Sequence, residues 1–590
     1  MVMIETLHRA GGGRMARWSE DGFEVLTPNI LYLDSETFPA PEYADFIVER
    51  DEESGSLNLR PKSSANSLIT IPNDLKVPIS FLKREKMSLI SSGERTVIVR
   101  GDTESIPSQV SDAGSLVFVL GNAFELRRDA RGFVRSLVAL RKAVGYGRLV
   151  YAPGIMDVSN LALLCYLGVD LVDSSLLTYQ GARGRLLTPE GALNASDADW
   201  LVPSEAPDEV IRRNLNSACQ EMSFVRHMLK LGRLRELVEI RVSSSPWSVA
   251  ALRIFDLEFY SLQEMYAPVV GPKFCCNSKE SLYRPDVWRF RRRILERYTP
   301  PAHKKVLLLI PCSAKKPYST SKSHRLLSQT IKAVRNNAIV HEVVVTSPLG
   351  IVPRELELVY PAAQYDIPVT GHWDRDEVAI VQEMVSKIAA FGYDKVICHL
   401  SIEEAFVKDL VECIDTTSGR PTSNDSLERL RDELEEVCSS HQTVGMGKDR
   451  IGCMGSLARF QFGEGGECLI DESSVVGNYP YLRILEGNDQ VAMLTPERGM
   501  LSLTMRGGEK LLPRRINWVE MQEFDLEGNL FAVGVKDADR RIRSGDDVLV
   551  VKNGELEAVG VASMCGEEMI EAERGEAVRI RHKRKTSRIG

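Results

Sequence analysis

Within the stretch 311–324, PCSAKKPYSTSKSH, a thiol (Cys312), two amines (Lys315, Lys316), a phenol (Tyr318), a hydroxyl (Ser321) and an imidazole (His324) crowd into one short loop. A loop needs only polar residues and a buried strand only apolar ones, so neither need explains the combination. Cysteine attacks as its thiolate, and nearby cations or a helix N-terminus lower its pKa. Lys315 or Lys316, His324 and the helix expected to follow would do this for Cys312. Two other readings stay open: His324 or Tyr318 moves protons while an external nucleophile attacks directly, or Cys312 is simply small enough to follow a buried strand. Lys316 would alternatively contact an anion such as phosphate. Ser321 would cap a helix or bind a polar group of the product, and Pro317 fixes the turn that aims Tyr318.

The elements around this loop make it a plausible mouth. The run 306–310, VLLLI, reads as a buried strand. Strands at 342–346 and 395–399 and helices at 325–336, 376–391 and 426–437 alternate around it, which predicts an open α/β sheet. Ligands bind such sheets at the carboxyl ends of their strands, where this loop stands. The run 427–437, LERLRDELEEV, reads as an amphipathic helix with one solvated face. Upstream, strands at 116–120, 149–152 and 168–173 alternate with helices at 130–144 and 159–167, a second parallel-sheet pattern. Asp173 ends the last of these strands, where a carboxylate is either catalytic or an ordinary helix cap. Residues 11–33 read as short strands joined by Gly and Pro turns, and 40–108 as a polar, irregular insert. Residues 445–512 break into short segments at 458–462, 482–485 and 501–505, a small α+β module.

A length of 590 residues, at roughly 150 per domain, predicts about four domains. Their expected bounds are 1–300, 301–440, 441–512 and 513–590. With 43% hydrophobic and 26% charged residues the chain belongs to the soluble globular class. Its longest apolar runs fall far short of the ~20 residues that span a bilayer, and the N-terminal text lacks a signal-peptide core, so the cytoplasm is the expected compartment. The 11 cysteines include no CxxC pair and one adjacent pair, Cys275-Cys276, so neither a disulfide framework nor a metal site is expected. The absence of a GxxxxGK[ST] loop predicts no nucleotide cofactor. A net charge of −8 argues against a uniformly basic nucleic-acid binder. Near the C-terminus, however, Arg579, Arg581, Lys583, Arg584 and Lys585 have only Glu576 as an acid beside them. Such a cluster neutralises phosphates, and a disordered basic tail is the plain alternative.

The spacing of Pro311-Cys312, Lys316-Pro317-Tyr318, Ser321 and His324 resembles the signature of archaeosine synthase, a paralogue of archaeal tRNA-guanine transglycosylase. The flanks 347–356, SPLGIVPREL, and 365–371, YDIPVTG, are similar as well. The text GVDLVD at 168–173, followed by Arg183-Gly184-Arg185, resembles the transglycosylase stretch that carries a nucleophilic aspartate at a (β/α)8 strand end. That places Asp173 there and implies a degenerate (β/α)8 transglycosylase-like barrel over 1–300. Residues 231–239, LGRLRELVE, resemble the helical part that follows that family's zinc site. The family's Asp-Ser-Gly-Gly-Phe-Gln loop is unmatched except by Asp34-Ser35-Glu36, and its Cys/Cys/Cys/His cluster is missing around 214–220; both departures count against base exchange. Residues 445–512 resemble the domain that precedes the PUA domain in archaeal transglycosylases. The texts GNLFAVGV at 528–535, IRSGDDV at 542–548 and VGVA at 559–562 look like a PUA domain, an RNA-binding β-barrel. In it Gly528 and Gly545 would turn at positive φ, and Gly534 would let backbone approach RNA. The fold class is thus α/β multidomain: barrel, open α/β core, small α+β domain and PUA barrel.

This resemblance implies a tRNA carrying 7-cyano-7-deazaguanine (preQ0) at position 15, and a reaction that adds lysine or another nitrogen donor across its nitrile without ATP. Cys312 would form a thioimidate that the amine displaces. Arg354, Glu355 and Asp366 would hold a lysine donor, guanidinium to carboxylate and carboxylate to ammonium, or form ordinary ion pairs. Asp173 would be vestigial or would hold the position-15 base. The resemblance also allows a radical-SAM partner enzyme and a homodimer, and no membrane partner. Base exchange and a non-catalytic tRNA-binding platform are the competing functions.

Overall fold

The structure, a computed structural model, describes residues 3–20, 22–36, 38–63, 67–71, 90–93, 95–100, 104–110, 114–198 and 206–584. Lys585 therefore lies outside the described residues. The chain forms two units, Met1–Ala267 with Glu571–Gly575, and Pro268–Ile570 with Glu576–Gly590.

The first unit is built on a 9-stranded sheet in the order Ile69–Ile71, Leu57–Pro61, Phe46–Arg50, Asn29–Asp34, Leu171–Asp173, Leu149–Tyr151, Val117–Leu120, Thr96–Val99, Ile90–Gly93. The run from Phe46–Arg50 to Thr96–Val99 is parallel, and the strands outside it are antiparallel. Alternate residues divide the core, as the two-residue period of a strand requires. Leu31, Phe46, Leu59, Ile71, Ile98 and Val119 share one buried cluster with Trp18, whereas Ile30, Ile47, Val97, Phe118 and Val172 pack against the helices. Because strands from both ends of the order feed one inner cluster, the sheet curls like a barrel. Among the described residues no ladder closes it, and its antiparallel ends depart from a regular eightfold βα repeat. Part of the expected irregular insert is in fact strand: Phe46–Arg50 and Leu57–Pro61 alternate too briefly to stand out, and their partners fix them. The helix Ala130–Val144 has the expected bounds, since the Asp129 side chain accepts from Gly132 N and Gly145 follows at positive φ.

In the second unit a 5-stranded sheet positions the loop. We label its strands β1 (Val306–Pro311), β2 (Val340–Thr346), β3 (Gly350–Pro353), β4 (Lys395–Cys398) and β5 (Ile414–Asp415). Their spatial order is β3-β2-β1-β4-β5, with only β3 antiparallel. Central β1 is buried from Val306 to Ile310 because helices α1 (Lys322–Ala333), α2 (Arg375–Ala389) and α3 (Asn424–Ser439) accompany the sheet, which is why an unbroken apolar run forms a strand here. The core, small α+β and C-terminal segments share this unit, and one buried cluster runs through them from Val269 to Val559.

The expected short segment 458–462 is the end of a longer helix, Met446–Phe462. The C-terminal strands form a 6-stranded sheet whose edge strands, Leu530–Phe531 and Val535–Ala538, are joined by the turn Ala532–Gly534, so this sheet too curls into a barrel. Gly545 turns at φ +92°, as expected, whereas Gly528 is not at positive φ. A Cβ on Gly534 would lie 2.9 Å from the Phe524 ring, so this glycine makes room for a side chain of its own barrel rather than for a ligand.

Candidate active site around Cys312

β1 ends at Pro311 and α1 begins at Lys322, so the intervening loop emerges at the carboxyl edge of the central strand. Ser321 is the N-cap of α1: its hydroxyl accepts from His324 N at 3.2 Å. Of its two expected roles, the cap is the one visible. Tyr318 is fully buried, and its hydroxyl meets Tyr365 Oη at 2.6 Å, which in turn meets Thr346 Oγ1 at 2.6 Å. Thr346, at the end of β2, lies within hydrogen-bonding reach of Cys312. A chain of hydroxyls thus runs from the buried phenol to the half-buried thiol.

Lys316 closes over this chain, its Nζ 4.1 Å from the Tyr365 ring centroid, a cation–π contact. Burial lowers the Lys316 ammonium pKa, against the opposing pull of Cys312 and Asp366. Burial also pushes the Cys312 thiol above its ordinary value; Thr346 and Lys316 oppose the rise and Glu404 adds to it. The expected low-pKa thiolate is therefore not the resting state. The desolvated loop favours a neutral thiol beside a less basic amine. Lys315 is exposed.

His324 is buried. Arg354 Nη2 donates to its Nδ1 at 3.0 Å, which leaves Nε2 to carry the proton of the neutral ring. Burial, with Arg354 adding, pushes the imidazole down to about 3. A ring so hard to protonate cannot lower the pKa of Cys312 by its charge. Arg354 itself is drawn into Glu342 Oε2, at 2.9 and 2.8 Å, and Glu357 Oε2, at 3.0 Å. Its side chain serves this network instead of standing open for a donor carboxylate. Glu357 is fully buried and also receives Ser319 N at 2.9 Å and Tyr479 Oη at 2.7 Å, so it fastens the loop to the small α+β segment. Glu355 has other company: Tyr298 donates to it and His341 Nε2 lies 3.6 Å away, and these hold its carboxyl below the usual range despite burial. No loop side chain is among its hydrogen-bond partners. Asp366 is half-exposed beside Lys273 at 3.4 Å and within the field of Lys316, which keeps it at the mouth.

Thr346, Tyr365, Glu357 and Glu404 were absent from the sequence-based set. Tyr365 and Thr346 did lie in the similar flank and at a predicted strand end. Glu404 follows β4 and carried no local mark. Among the described residues no group of three or more His, Cys, Asp or Glu converges as metal ligands.

In the first unit Asp173 is buried at its strand end. It accepts from Tyr151 Oη at 2.8 Å, Gly154 N at 2.7 Å, Ser175 N at 2.9 Å and the Ser175 hydroxyl. Four donors from its own unit use this carboxylate.

The C-terminal cations lie largely on a strand, Glu576–Lys583, and not in a loose tail. Arg579 pairs with Glu576 at 3.0 Å, Arg581 with buried Asp547, and Arg584 with Glu555; Lys583 is exposed. The barrel supplies acids that the local text did not show. Arg581, Lys583 and Arg584 line a groove of about 950 Å³ with Thr504, Arg506 and Leu556, and none of the residues 311–324 lines it.

A curled sheet unit, an α/β core with a thiol at its carboxyl edge and a terminal β-barrel define a multidomain α/β protein with an RNA-binding type of end domain. Residues 522–584 match the PUA domain family, and residues 287–434 match a domain of unknown function (DUF5591). Over 91% of its length the chain is 32% identical to the archaeosine synthase subunit alpha of Methanosarcina acetivorans, covering 91% of that protein. It is 34% identical to the archaeosine synthase of Haloferax volcanii, across 80% of this chain and 83% of that one. The tRNA-guanine(15) transglycosylase of Methanobrevibacter smithii is 26% identical, across 71% of this chain and 64% of that one. The chain belongs to the archaeosine synthase family.

Proposed function

We propose that this chain modifies tRNA by adding a primary amine, lysine or another nitrogen donor, to the nitrile of preQ0 at position 15, without ATP. The observation that carries this reading is the Cys312 thiol beside the Lys316 amine, both tuned by burial toward their neutral forms at the carboxyl edge of the sheet. Sγ attacks the nitrile carbon while its proton passes to Lys316 Nζ. That proton then goes to the nitrile nitrogen, giving a thioimidate. The donor amine adds to the same carbon, the C–S bond breaks, and an amidine and the free thiol result. Burial shifts the amine and the thiol each toward its neutral form, which lessens the cost of holding an ion pair in a desolvated loop. His324, neutral and held by Arg354, positions the start of α1 and Tyr318, with ring centroids 5.3 Å apart.

The PUA domain supports tRNA as the substrate, and the name "subunit alpha" of a relative supports a second subunit, for which a radical-SAM enzyme is our proposal. No described helix is long and apolar enough to cross a membrane; a cytoplasmic location, a homodimer and the four-domain division are further parts of this reading. A degenerate transglycosylase-like barrel in the first unit is part of it too, with Asp173 structural, as its four donors favour.

The test incubates the purified chain with labelled lysine and nitrile-bearing tRNA. Label in the tRNA, abolished by Cys312→Ala, is expected. Absence of label with every donor, together with base exchange into guanine-bearing tRNA, would make it a transglycosylase instead.

A further inference from the structure

Glu404 is a buried carboxyl that the mechanism above does not use. It stands on the turn Ile402–Val407 after β4, and β4 pairs in parallel with β1 at Leu309↔Cys398. The chain continuing from each strand therefore brings the Ser401 turn alongside Cys312, and the Glu404 charge is felt at that thiol. Its residue is only 7% exposed. Oε2 accepts from Ser401 N at 3.1 Å and from the Ser401 hydroxyl, closing a capping box, whereas Oε1 accepts no hydrogen bond among the described residues.

Oε1 keeps contact with solvent and is not sealed in the fold, so a donor arriving from outside can reach it. The turn meets solvent through exposed apolar neighbours. Ile402, 80% exposed, and Val369, 71% exposed, stand on the neighbouring loops. A Cβ on Gly371 would lie 3.2 Å from Glu403, so the loop that begins at Asp366 packs against this turn. Trp373 meets Phe406 edge-on at 5.5 Å and locks the two together.

We propose that Glu404 is the donor-side acid–base residue: its open carboxylate oxygen pairs with the ammonium of an incoming primary amine and takes its proton as the nitrogen attacks. This rests on the nitrile-to-amidine reading. Glu404 takes a proton from the ammonium, and the freed amine forms a C–N bond to the thioimidate carbon. The C–S bond breaks, Glu404 returns the proton to the leaving Cys312 sulfur, and the product departs as an amidinium, so protons and charge balance. Burial raises the Glu404 pKa, with Glu403 adding and Ser401 opposing, which makes it a better base than an exposed carboxylate. The titratable groups facing it are Cys312 and Glu403.

The experiment compares donors in single turnovers of the full chain with nitrile-bearing tRNA. Lysine arrives as an ammonium, its side-chain pKa being ~10.4, whereas hydroxylamine is uncharged at neutral pH and needs no base. Glu404→Gln keeps a carbonyl for Ser401 N and should slow transfer to lysine about 10²-fold, while hydroxylamine reacts at close to the wild-type rate and tRNA affinity holds. Glu403→Gln, on the same turn, should match wild type with both donors. Equal losses with lysine and hydroxylamine, or no loss with either, would overturn the inference while leaving the proposed function standing. A wild-type chain that converts no nitrile with any donor overturns the proposed function, and the inference with it. Wild type gives a second reading should the variant fail to fold: rates across primary amines of rising pKa stay level if Glu404 deprotonates them, and a steep fall overturns the assignment.

Discussion

Arg354 donates to Nδ1 of His324 at 3.0 Å, and burial, with the Arg354 charge adding, keeps the most catalytic-looking residue of the loop a neutral ring. Its pKa of about 3 in the fold lies below the ~6.5 of an unfolded histidine. Between those values the unfolded chain binds more protons, so the stability this site contributes is complete above pH ~6.5 and is lost as pH falls toward 3. His324→Asn keeps an acceptor for Arg354 and removes that titration. The acid loss of stability between pH 7 and pH 5, read from urea midpoints, should be smaller in the variant by on the order of 2 kcal/mol. Parallel losses in the two proteins would show that His324 is not buried neutral.

Cys312 and Lys316 give a prediction that needs no substrate. With burial holding the thiol up, alkylation of Cys312 by iodoacetamide, followed by peptide mass spectrometry, should be slow at neutral pH and accelerate as pH rises past the ordinary thiol range. Lys316→Met removes the amine that takes the Cys312 proton and steadies the thiolate, and should slow the reaction severalfold at any one pH. Fast, pH-independent alkylation near neutrality would mean a resting thiolate.

Asp173 accepts from four donors of its own unit, so its loss should be felt as stability before it is felt as rate. Asp173→Ala leaves buried donors unpaired and should cost roughly 3 kcal/mol. Nitrile conversion should fall less than about tenfold, against ~10²-fold or more for Cys312→Ala. An Asp173→Ala protein that is folded but as inactive as Cys312→Ala would move the reaction to the first unit.

The C-terminal cations divide by their partners. Lys583 and Arg584 are exposed, whereas Arg581 is held by Asp547, and burial, with Arg498 adding, lowers its guanidinium to about 10. Replacing Lys583 and Arg584 with Gln should weaken tRNA binding and reduce the slope of log affinity against log salt by up to about two units. Arg581→Gln should lower thermal stability and leave most of that slope. An unchanged slope in the double variant would take the RNA contact elsewhere.

Local text sufficed wherever a local force sets the structure. The strand Val306–Pro311 follows from an apolar run, the helix Ala130–Val144 from its period and its Asp129 cap, and the Ser321 cap from a hydroxyl three residues before His324 N. The spacing within 311–324 likewise picked out the loop that ends the central strand. Nothing local says which distant charge meets which, because pairing across a sheet depends on register between strands far apart in sequence. Only the folded chain turns Arg354 toward Glu342 and His324, sets Asp547 and Glu555 against Arg581 and Arg584, and recruits short strands such as Phe46–Arg50 into a curled sheet. The state of Cys312 is a tertiary property for the same reason: the sequence supplied the cations expected to lower its pKa, and the packing of the loop supplied the desolvation that outweighs them.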